Sequence, residues 1–350
     1  MTEERQGKNR KTEPDRTRVS ETPWLVAKGF CMGAADVVPG VSGGTMALIL
    51  DIYARLIDAV KSFDGSALRD LLHFRWSSLA ARVHWRFLAA VLGGIFVAII
   101  FFTRVVGLPR LMSSHPEPVY GLFFGLILGS IWFVVRDSGV CRPRSLLWLA
   151  AGTLAGLRVV TLMPADTPEQ TWFVFVCGMI AVTAMILPGI SGSFILLIMG
   201  KYEYIFSQFS RLGTAESWSA ILAENWSAIM VLLPFGLGLV VGIVAFSRIL
   251  SWLLRRWRQA TYLVLAGFML GSLWAIWPWR NWVYETVAGR QRPIYSTPAW
   301  PAPASPEFAW GLAMLLLGAS GVLLLELAAR RKRRSDRLEQ EGSSSFSDVA

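Results

Sequence analysis

The sequence predicts an all-α polytopic membrane protein with two inverted repeats, each a broken, re-entrant helical hairpin followed by two transmembrane helices. Three observations support this fold class: repeated long apolar runs, an uneven distribution of basic residues, and one unusual motif that occurs twice. Of the 350 residues, 54% are hydrophobic and only 17% are charged. Soluble proteins usually have a charged fraction of about a quarter.

The uncharged apolar runs are long enough to cross a bilayer, whose hydrocarbon core of about 30 Å needs about 20 helical residues. A soluble core could contain one such run, whereas several indicate a membrane protein. We predict six full spans and two broken segments. The spans lie near residues 86–103, 119–135, 146–162, 227–247, 260–279 and 309–329, and the broken segments near residues 27–57 and 172–206.

The positions of Lys and Arg predict the orientation of the chain. With the N-terminus inside, 24 of the 34 Lys and Arg fall in cytoplasmic segments and 8 in outside loops. Basic residues are enriched in cytoplasmic loops, so both termini are predicted to be cytoplasmic. The broken segments are interpreted as hairpins, because residues 171–200 carry no charge and would form a helix of about 45 Å, too long for one crossing. Two complete spans with a tight turn are the alternative, and they give the same topology.

These assignments divide the chain into a membrane-embedded core and four flanking parts. Repeat one (24–136), a linking span (145–163) and repeat two (171–280) form the core, residues 24–280. A basic cytoplasmic segment, residues 1–23, precedes it and has no signal-peptide pattern. A Pro-rich external loop (281–307) with little regular structure, a final transmembrane helix (308–329) and a cytoplasmic tail (330–350) follow.

The repeat is recognised by alignment of residues 35–53 with residues 184–202, which gives eight identities in 19 positions. Downstream, Gly125–Trp132 resembles Gly267–Trp274, and both halves follow the order broken segment, span, span. Three full spans separate the two broken segments. Because three is odd, the halves are predicted to have opposite orientations in the membrane, as in secondary transporters whose substrate binds where the repeats meet.

Each broken motif places Pro-Gly and small hydroxyl residues in an apolar segment, which a continuous helix does not tolerate. We expect a half-helix to end there and another to begin, with backbone N–H groups that can bind a small anion such as phosphate. The predicted phosphate-binding residues are Pro39, Gly40, Ser42, Gly43, Gly44 and Thr45 in the first motif and Pro188, Gly189, Ser191, Gly192 and Ser193 in the second. Alternatively the glycines only permit close helix packing, the interpretation preferred for the pairs Gly125–Gly129 and Gly267–Gly271.

Four charged residues beside the motifs are candidates for coupling or charge recognition. Asp36 is the lone carboxylate of the first motif, at the position that Met185 occupies in the second. An acid at membrane depth is costly, so we expect it to bind a proton or an arginine, with Arg55 as the candidate partner, or to cap a helix. Lys201 and Glu203 flank the second motif at the predicted outer surface, where they either receive an anion or form a solvated rim.

Other function classes have little support in the sequence. The three Cys and three His show no metal-ligand spacing, and no ATP-binding loop occurs, so no metal or cofactor is predicted. The formal charge of +10 is attributed to basic cytoplasmic segments rather than to nucleic-acid binding. Any energy source is therefore an ion gradient, such as protons, or a concentration difference. The sequence leaves the oligomeric state open.

The paired motifs "ADVVPGVSGGTMALILDIY" and "ILPGISGSFILLIMGKYEYI" resemble the bacterial polyprenyl-phosphate transporter family (PopT-like) over roughly residues 24–280. This resemblance implies a non-enzymatic protein of the bacterial inner membrane that returns undecaprenyl phosphate from the outer to the inner leaflet for peptidoglycan and other envelope synthesis. The lipid head group would cross between the two hairpins while its tail stays among membrane lipids. Asp51 and Ala54 depart from the family, which commonly has Gly and Glu there.

Two rival functions remain open. An undecaprenyl-diphosphate phosphatase also has inverted repeats, but its motif carries an arginine beside the serine, where this chain has Gly43-Gly44 and Gly192-Ser193. Phosphoryl transfer without a positioned cation or base is hard to support. A permease for a small soluble anion is the second rival, and competition between soluble and lipid phosphate separates it from a lipid transporter.

Overall fold

The computed structural model describes residues 17–38, 41–63, 65–138, 143–162, 167–213, 226–287, 290–324 and 327. These residues form helices, with one two-stranded sheet. The helices are α1 (Thr22–Asp36), α2 (Gly43–Ile49), α3 (Tyr53–Lys61), α4 (Gly65–Leu72), α5 (Trp76–Arg82), α6 (Trp85–Ile100), α7 (Leu108–Ser114), α8 (Pro116–Asp137), α9 (Pro143–Val160), α10 (Thr171–Ile186), α11 (Gly192–Ile198), α12 (Tyr202–Gly213), α13 (Trp226–Arg256), α14 (Arg258–Ser272) and α15 (Pro306–Leu324).

The chain separates into two compact units. The first contains α1 to α6 and α9 to α14, and the second contains α8, the sheet and α15. Both broken motifs therefore belong to the first unit. Residues 1–16 of the predicted basic segment 1–23, and the whole predicted tail 330–350, lie outside the described residues.

Five helices among the described residues are long and apolar enough to span a membrane, and they coincide with five of the six predicted spans. They are Trp85–Val105, Pro116–Arg136, Ala228–Arg256, Arg258–Ile276 and Pro306–Leu324. The remaining predicted span is α9, which carries an arginine near each end, and these charges lower its mean hydropathy. Large apolar side chains stay exposed along α13, including Leu233, Leu237 and Val240. Such a surface suits contact with lipid rather than with water.

Close glycine contacts join α1 to α6. A Cβ on Gly29 would lie 2.2 Å from the Val91 carbonyl oxygen, and a Cβ on Gly94 would lie 2.2 Å from the Val26 carbonyl oxygen. No heavy atom fits at that distance, so each helix has a glycine wherever the other helix's backbone approaches. Small residues at such crossings let apolar helices associate in membranes, where no hydrophobic effect drives them together.

The second repeat uses the same device between α10 and α13. A Cβ on Gly178 would lie 2.3 Å from the Phe235 carbonyl oxygen, and one on Gly238 would lie 2.0 Å from the Phe175 carbonyl oxygen. Gly178 follows Gly29 by the 149 residues that separate the two motifs. The duplication seen in the sequence is therefore also present in the helix packing.

The two Gly-x-x-x-Gly pairs are packing positions, as predicted. In the first unit, a Cβ on Gly267 of α14 would lie 2.1 Å from the Leu149 carbonyl oxygen of α9. In the second unit, a Cβ on Gly125 of α8 would lie 2.0 Å from the Leu315 carbonyl oxygen of α15. These glycines have a complete structural explanation and need no ligand.

The Pro-rich external loop is more regular than predicted. Strands β1 (Arg280–Val287) and β2 (Arg290–Pro298) pair antiparallel, with Arg280 opposite Pro298 and a register irregularity at Val283/Tyr284. The expectation of little regular structure is wrong here because Val, Thr, Tyr and Ile, which favour strands, outweigh the prolines. The Trp277 indole donates a hydrogen bond to the Ala299 carbonyl at 3.0 Å and so links the base of the hairpin.

Adjacent glycines on α6 test the packing argument. Gly94→Ala should lower the stability of the folded protein by about 1–3 kcal/mol, because its methyl group forces α1 away. Gly93→Ala is the control, since nothing lies within 4 Å of that position and alanine favours helix. The measurement is the thermal unfolding midpoint of purified protein in detergent. Equal midpoints for the two variants would contradict the proposed contact.

Candidate functional site

The two broken motifs share one arrangement, in which a long helix ends and a seven-residue helix follows. Helix α1 ends at Asp36 and α2 begins at Gly43, whereas α10 ends at Ile186 and α11 begins at Gly192. Helices α2 and α11 both have seven residues and start 149 residues apart. The starts of α3 and α12 are also 149 residues apart. Pro39 and Gly40 lie outside the described residues, while Pro188 and Gly189 are buried. The predicted helix breaks are confirmed.

The short helices also end alike, in a left-handed residue. Asp51 has φ of 55° and Gly200 has φ of 63°. The residue after each donates its backbone N–H to the carbonyl five residues back, at 3.0 and 2.9 Å. This is the Schellman arrangement, in which glycine is usual and aspartate is among the few tolerated alternatives. The departure of Asp51 from the family pattern is therefore compatible with an unchanged turn.

The N-terminus of α2 is capped by its own chain. The Gly43 N–H donates to Asp36 Oδ1 at 2.6 Å, and the Gly44 N–H donates to Ser42 Oγ at 3.1 Å. A Cβ on Gly43 would lie 2.6 Å from Asp36 Oδ2, so the carboxylate can reach the amide only because this residue is glycine. Asp36 thus takes the place at the helix N-terminus where an anion is favoured. Of the roles predicted for Asp36, the structure supports the helix cap.

The N-terminus of α11 is arranged differently. Ser191 precedes the helix in the same extended conformation as Ser42 but makes no side-chain hydrogen bond to cap it. Instead the hydroxyl oxygens of Ser191 and Ser193 lie 2.6 Å apart. Met185 stands in the position of Asp36 and is 55% exposed. The second motif therefore has hydroxyl groups at its helix start and no carboxylate from the corresponding position.

The two breaks contact each other through Thr45. The Gly189 N–H donates to Thr45 Oγ1 at 2.8 Å, and Thr45 is fully buried. Gly189 has φ of 97°, and a Cβ there would lie 2.7 Å from Ser272 Oγ. Both the conformation and the close contact require glycine. The first motif thus binds a backbone amide of the second.

Two further hydroxyls of the first repeat bind carbonyls at the end of α10. Ser42 Oγ lies 3.3 Å from the Met185 oxygen and 3.4 Å from the Leu187 oxygen, and Tyr53 Oη donates to the Ile186 oxygen at 3.1 Å. Carbonyls in the last helical turn lack partners within the helix, and leaving them unbound among apolar groups costs free energy. The two broken segments therefore contact each other through direct hydrogen bonds.

Arg55 is not the partner of Asp36. Its guanidinium forms a salt bridge with Glu21 at 3.2 Å, donates to Thr17 Oγ1 at 2.7 Å and lies 4.7 Å from the centre of the Phe87 ring. The suggested Asp36–Arg55 pair is wrong because Asp36 is bound to an amide of its own motif, while Arg55 ties α3 to the segment before α1.

The charged residues after the second motif have separate environments. Lys201 is only 3% exposed; its ammonium donates to the Thr167 carbonyl at 2.7 Å and lies 5.5 Å from the Tyr204 ring centre. Glu203 is exposed in the first turn of α12, where a negative charge complements the helix dipole. Lys201 is therefore part of the packed structure and not of a solvated rim.

Sequence reasoning missed two residues that complete the site. Tyr53, which aligns with Tyr202 of the second motif, is not among the predicted binding residues, yet its hydroxyl bridges the two breaks. Lys28 donates to the Leu50 carbonyl at 2.8 Å, at the end of α2. The shared tyrosine was a usable signal, since an aromatic hydroxyl in an apolar segment needs a partner. Within the described residues no group of three or more His, Cys, Asp or Glu is placed to hold a metal ion.

Comparison with known proteins identifies the class. The profile of the VCA0040-like family, described as undecaprenyl phosphate translocase-like, matches residues 32–292. A polyprenyl-phosphate transporter of Vibrio cholerae is 38% identical over 306 residues, which cover 86% of this chain and 94% of that protein. A polyprenyl-phosphate transporter of Staphylococcus aureus is 30% identical over 269 residues, 73% of this chain and 86% of that protein. No solved structure matches the chain.

The apolar helices and the helix breaks define a multi-pass protein of the bacterial inner membrane with a polar contact inside one helical unit. The chain belongs to the undecaprenyl phosphate translocase-like family, as the motif resemblance predicted. The family match includes both broken motifs and the packing glycines between them.

Substitution of Thr45 tests the contact between the breaks. Thr45→Val should destabilise the protein by about 1–3 kcal/mol, because it leaves the buried Gly189 N–H without an acceptor. Thr45→Ser retains the hydroxyl and should recover most of the loss. Thr103→Val serves as the matched control, since the Thr103 hydroxyl bonds only carbonyls of its own helix. If Thr45→Val and Thr103→Val had the same unfolding midpoint, the proposed contribution of the Thr45–Gly189 hydrogen bond to stability would be refuted.

Proposed function

We propose that this protein transports undecaprenyl phosphate from the outer to the inner leaflet of the bacterial inner membrane, which returns the lipid carrier to envelope synthesis. The observation that carries the proposal is the hydrogen-bonded contact between two repeat-related helix breaks within an apolar helical unit. Family membership and the names of both curated relatives support the substrate class. A polar contact between repeats suits an anionic head group, while the isoprenoid tail needs only lipid.

The head group binds first, in this proposal, at the second motif. The hydroxyls of Ser191 and Ser193 and the start of α11 provide donors there, and Met185 contributes no competing charge. At the first motif the Asp36 carboxylate already accepts from the Gly43 amide, as a phosphate oxygen would. Two anions do not share one helix N-terminus, because like charges repel and each needs the same donors.

Transfer to the first motif therefore requires Asp36 to leave the Gly43 amide. A carboxylate that loses this donor inside an apolar unit becomes costly in its charged form and gains a proton. In our proposal Asp36, not Glu203, couples transport to protons, since Asp36 lies at a break and Glu203 is exposed on α12. In this proposal the head group binds at the two breaks in turn. This requires the two repeats to have opposite orientations in the membrane, which is also part of the proposal.

A leaflet-resolved assay tests the transport proposal. Purified protein is reconstituted in liposomes with a fluorescent polyprenyl phosphate, and a membrane-impermeant quencher reports the lipid in the outer leaflet. The protein should accelerate transbilayer movement, and the double variant Ser191→Ala/Ser193→Ala should slow it about tenfold or more, because donors to a charged group are lost. Ser207→Ala, which removes a hydroxyl bonded to its own helix, should have no effect.

The same liposomes discriminate the rival functions. Faster uptake of inorganic phosphate than of the lipid would favour a soluble-anion permease, and release of inorganic phosphate from undecaprenyl diphosphate would favour a phosphatase. Unchanged lipid movement with intact, folded protein would refute the transport proposal.

Substitution of Asp36 tests the coupling step separately. Asp36→Asn keeps an oxygen that can accept from the Gly43 amide but cannot exchange a proton, so the variant should fold normally. Lipid movement down its own gradient should continue, whereas acceleration by an imposed proton gradient should disappear. Glu203→Gln should retain that acceleration. If Glu203→Gln lost the acceleration and Asp36→Asn kept it, the assignment of proton coupling to Asp36 would be wrong.

A further inference from the structure

A second polar feature of the first unit is a cleft of about 310 Å³ between α3, α13 and α14. It differs from the helix breaks in its chemistry, because five polar side chains line it and two of these are arginines. The five are Asp58 of α3, Ser251 and Arg255 of α13, and Arg258 and Tyr262 of α14. Arg255 and Arg258 belong to the basic run that the sequence places on the cytoplasmic side.

The polar groups of the cleft converge on one buried hydroxyl. Ser251 is 3% exposed, and its oxygen accepts from Arg255 Nη1 at 2.6 Å and from Lys61 Nζ at 3.5 Å. The same hydroxyl donates to Asp58 Oδ1 at 3.3 Å. On α14, the Arg258 guanidinium lies 5.8 Å from the centre of the Tyr262 ring. The guanidinium groups of Arg255 and Arg258 therefore both line the cleft, and the Lys61 ammonium lies beside it on Ser251.

Positive charge exceeds negative charge in this cluster. Burial, with the nearby charges of Arg255 and Arg248, lowers the pKa of Lys61, and Asp58 opposes this shift. The cluster thus holds the cations Lys61, Arg255 and Arg258 and the single carboxylate of Asp58. A pair of guanidinium groups is suited to a phosphate. Their planar N–H donors match the spacing of phosphate oxygens, and their positive charges favour an anion.

Apolar residues complete the cleft and indicate a lipid rather than a soluble ligand. Ile57 and Leu254 line it beside the charged groups. Trp252 and Trp257 stand exposed at the same end of α13, with ring centres 4.9 Å apart. Exposed tryptophans are typical of the level where hydrocarbon meets head groups. An amphipathic molecule, with a charged head and an apolar tail, fits this environment.

Helix α3 connects the cleft to the helix breaks. Its first residue, Tyr53, donates to the Ile186 carbonyl at the second break. Ala54, Ile57 and Asp58 of the same helix line the cleft. The nine residues of α3 span only about 13 Å, so a head group leaving the breaks has a short distance to travel.

We infer that this cleft is a second phosphate site, which receives the phosphomonoester head group of a membrane lipid after it leaves the breaks. Arg255 and Arg258 bind the phosphate oxygens, Lys61 adds charge, and Ser251 holds Arg255 and Lys61 in place. The inference rests on the proposed function, since it places the cleft on the path of the transported lipid. The binding itself can be measured without transport.

Equilibrium binding of a short-chain polyprenyl monophosphate to full-length protein in nanodiscs tests the inference. The background is Ser191→Ala/Ser193→Ala, which removes donors at the second break. In that background Arg255→Gln/Arg258→Gln should weaken binding about tenfold or more, because charged donors are lost. Arg256→Gln removes an adjacent charge that does not line the cleft, and binding should be unchanged. Arg255→Lys/Arg258→Lys keeps the charge and should retain part of the affinity, which separates binding from misfolding.

The competing ligands decide the chemical class. Phosphatidylglycerol, a phosphodiester, should compete poorly, and inorganic phosphate should compete only at much higher concentration. Equal competition by phosphatidylglycerol would make the cleft a general anionic-lipid site and overturn the inference. Equal competition by inorganic phosphate would overturn the assignment to lipid. Equal affinity in the glutamine and Arg256→Gln variants would overturn the site.

Failure of the proposed function would look different. Lipid movement across the bilayer would then be absent in the wild-type protein, while binding would still depend on Arg255 and Arg258. Conversely, the wild-type protein could transport the lipid while Arg255→Gln/Arg258→Gln left lipid binding unchanged. That result would overturn the cleft as a phosphate site and leave the transport proposal intact.

Discussion

The structure depends on one constraint: backbone groups freed by a broken helix must find partners where water is scarce. The break after α10 leaves carbonyls and the Gly189 amide without intrahelical partners, and Ser42, Thr45 and Tyr53 of the other repeat bind them. An apolar environment makes each unpaired group expensive, so this contact holds the two motifs together. It also keeps polar groups inside an otherwise apolar unit, where a phosphate could use them.

Glycine packing makes such a contact possible. Helices α1 and α6, and again α10 and α13, approach so closely that a methyl group would collide with the facing carbonyl. The short helices α2 and α11 follow α1 and α10 directly in the chain. In both helix pairs the contacted carbonyl lies three residues before the partner helix's glycine, so the two crossings have the same local pattern. The helix breaks therefore follow helices whose positions are fixed by close packing.

The repeats have diverged at one informative point. Asp36 caps α2 from within the first motif, whereas Met185 holds the corresponding position in the second and Ser191 pairs with Ser193. The two motifs therefore differ in charge: the first has the Asp36 carboxylate at its helix N-terminus, and the second has no carboxylate at the corresponding position. The cleft beside α3 is a separate polar feature of the same unit, and α3 links it to the break after α10.

Much of this protein could be predicted from the sequence, since helix breaks, apolar runs and packing glycines are local patterns with local causes. Pro-Gly ends a helix wherever it stands, and five of the six predicted spans are long apolar helices in the structure. Partners in space could not be predicted, because they depend on which surfaces the packing brings together. The tertiary structure alone decided that Asp36 binds Gly43 while Arg55 binds Glu21, that Thr45 reaches Gly189, and that residues 280–298 form a hairpin. The hydrogen bond between Thr45 and Gly189 joins residues 144 positions apart, and such a contact produces no repeating pattern in the sequence.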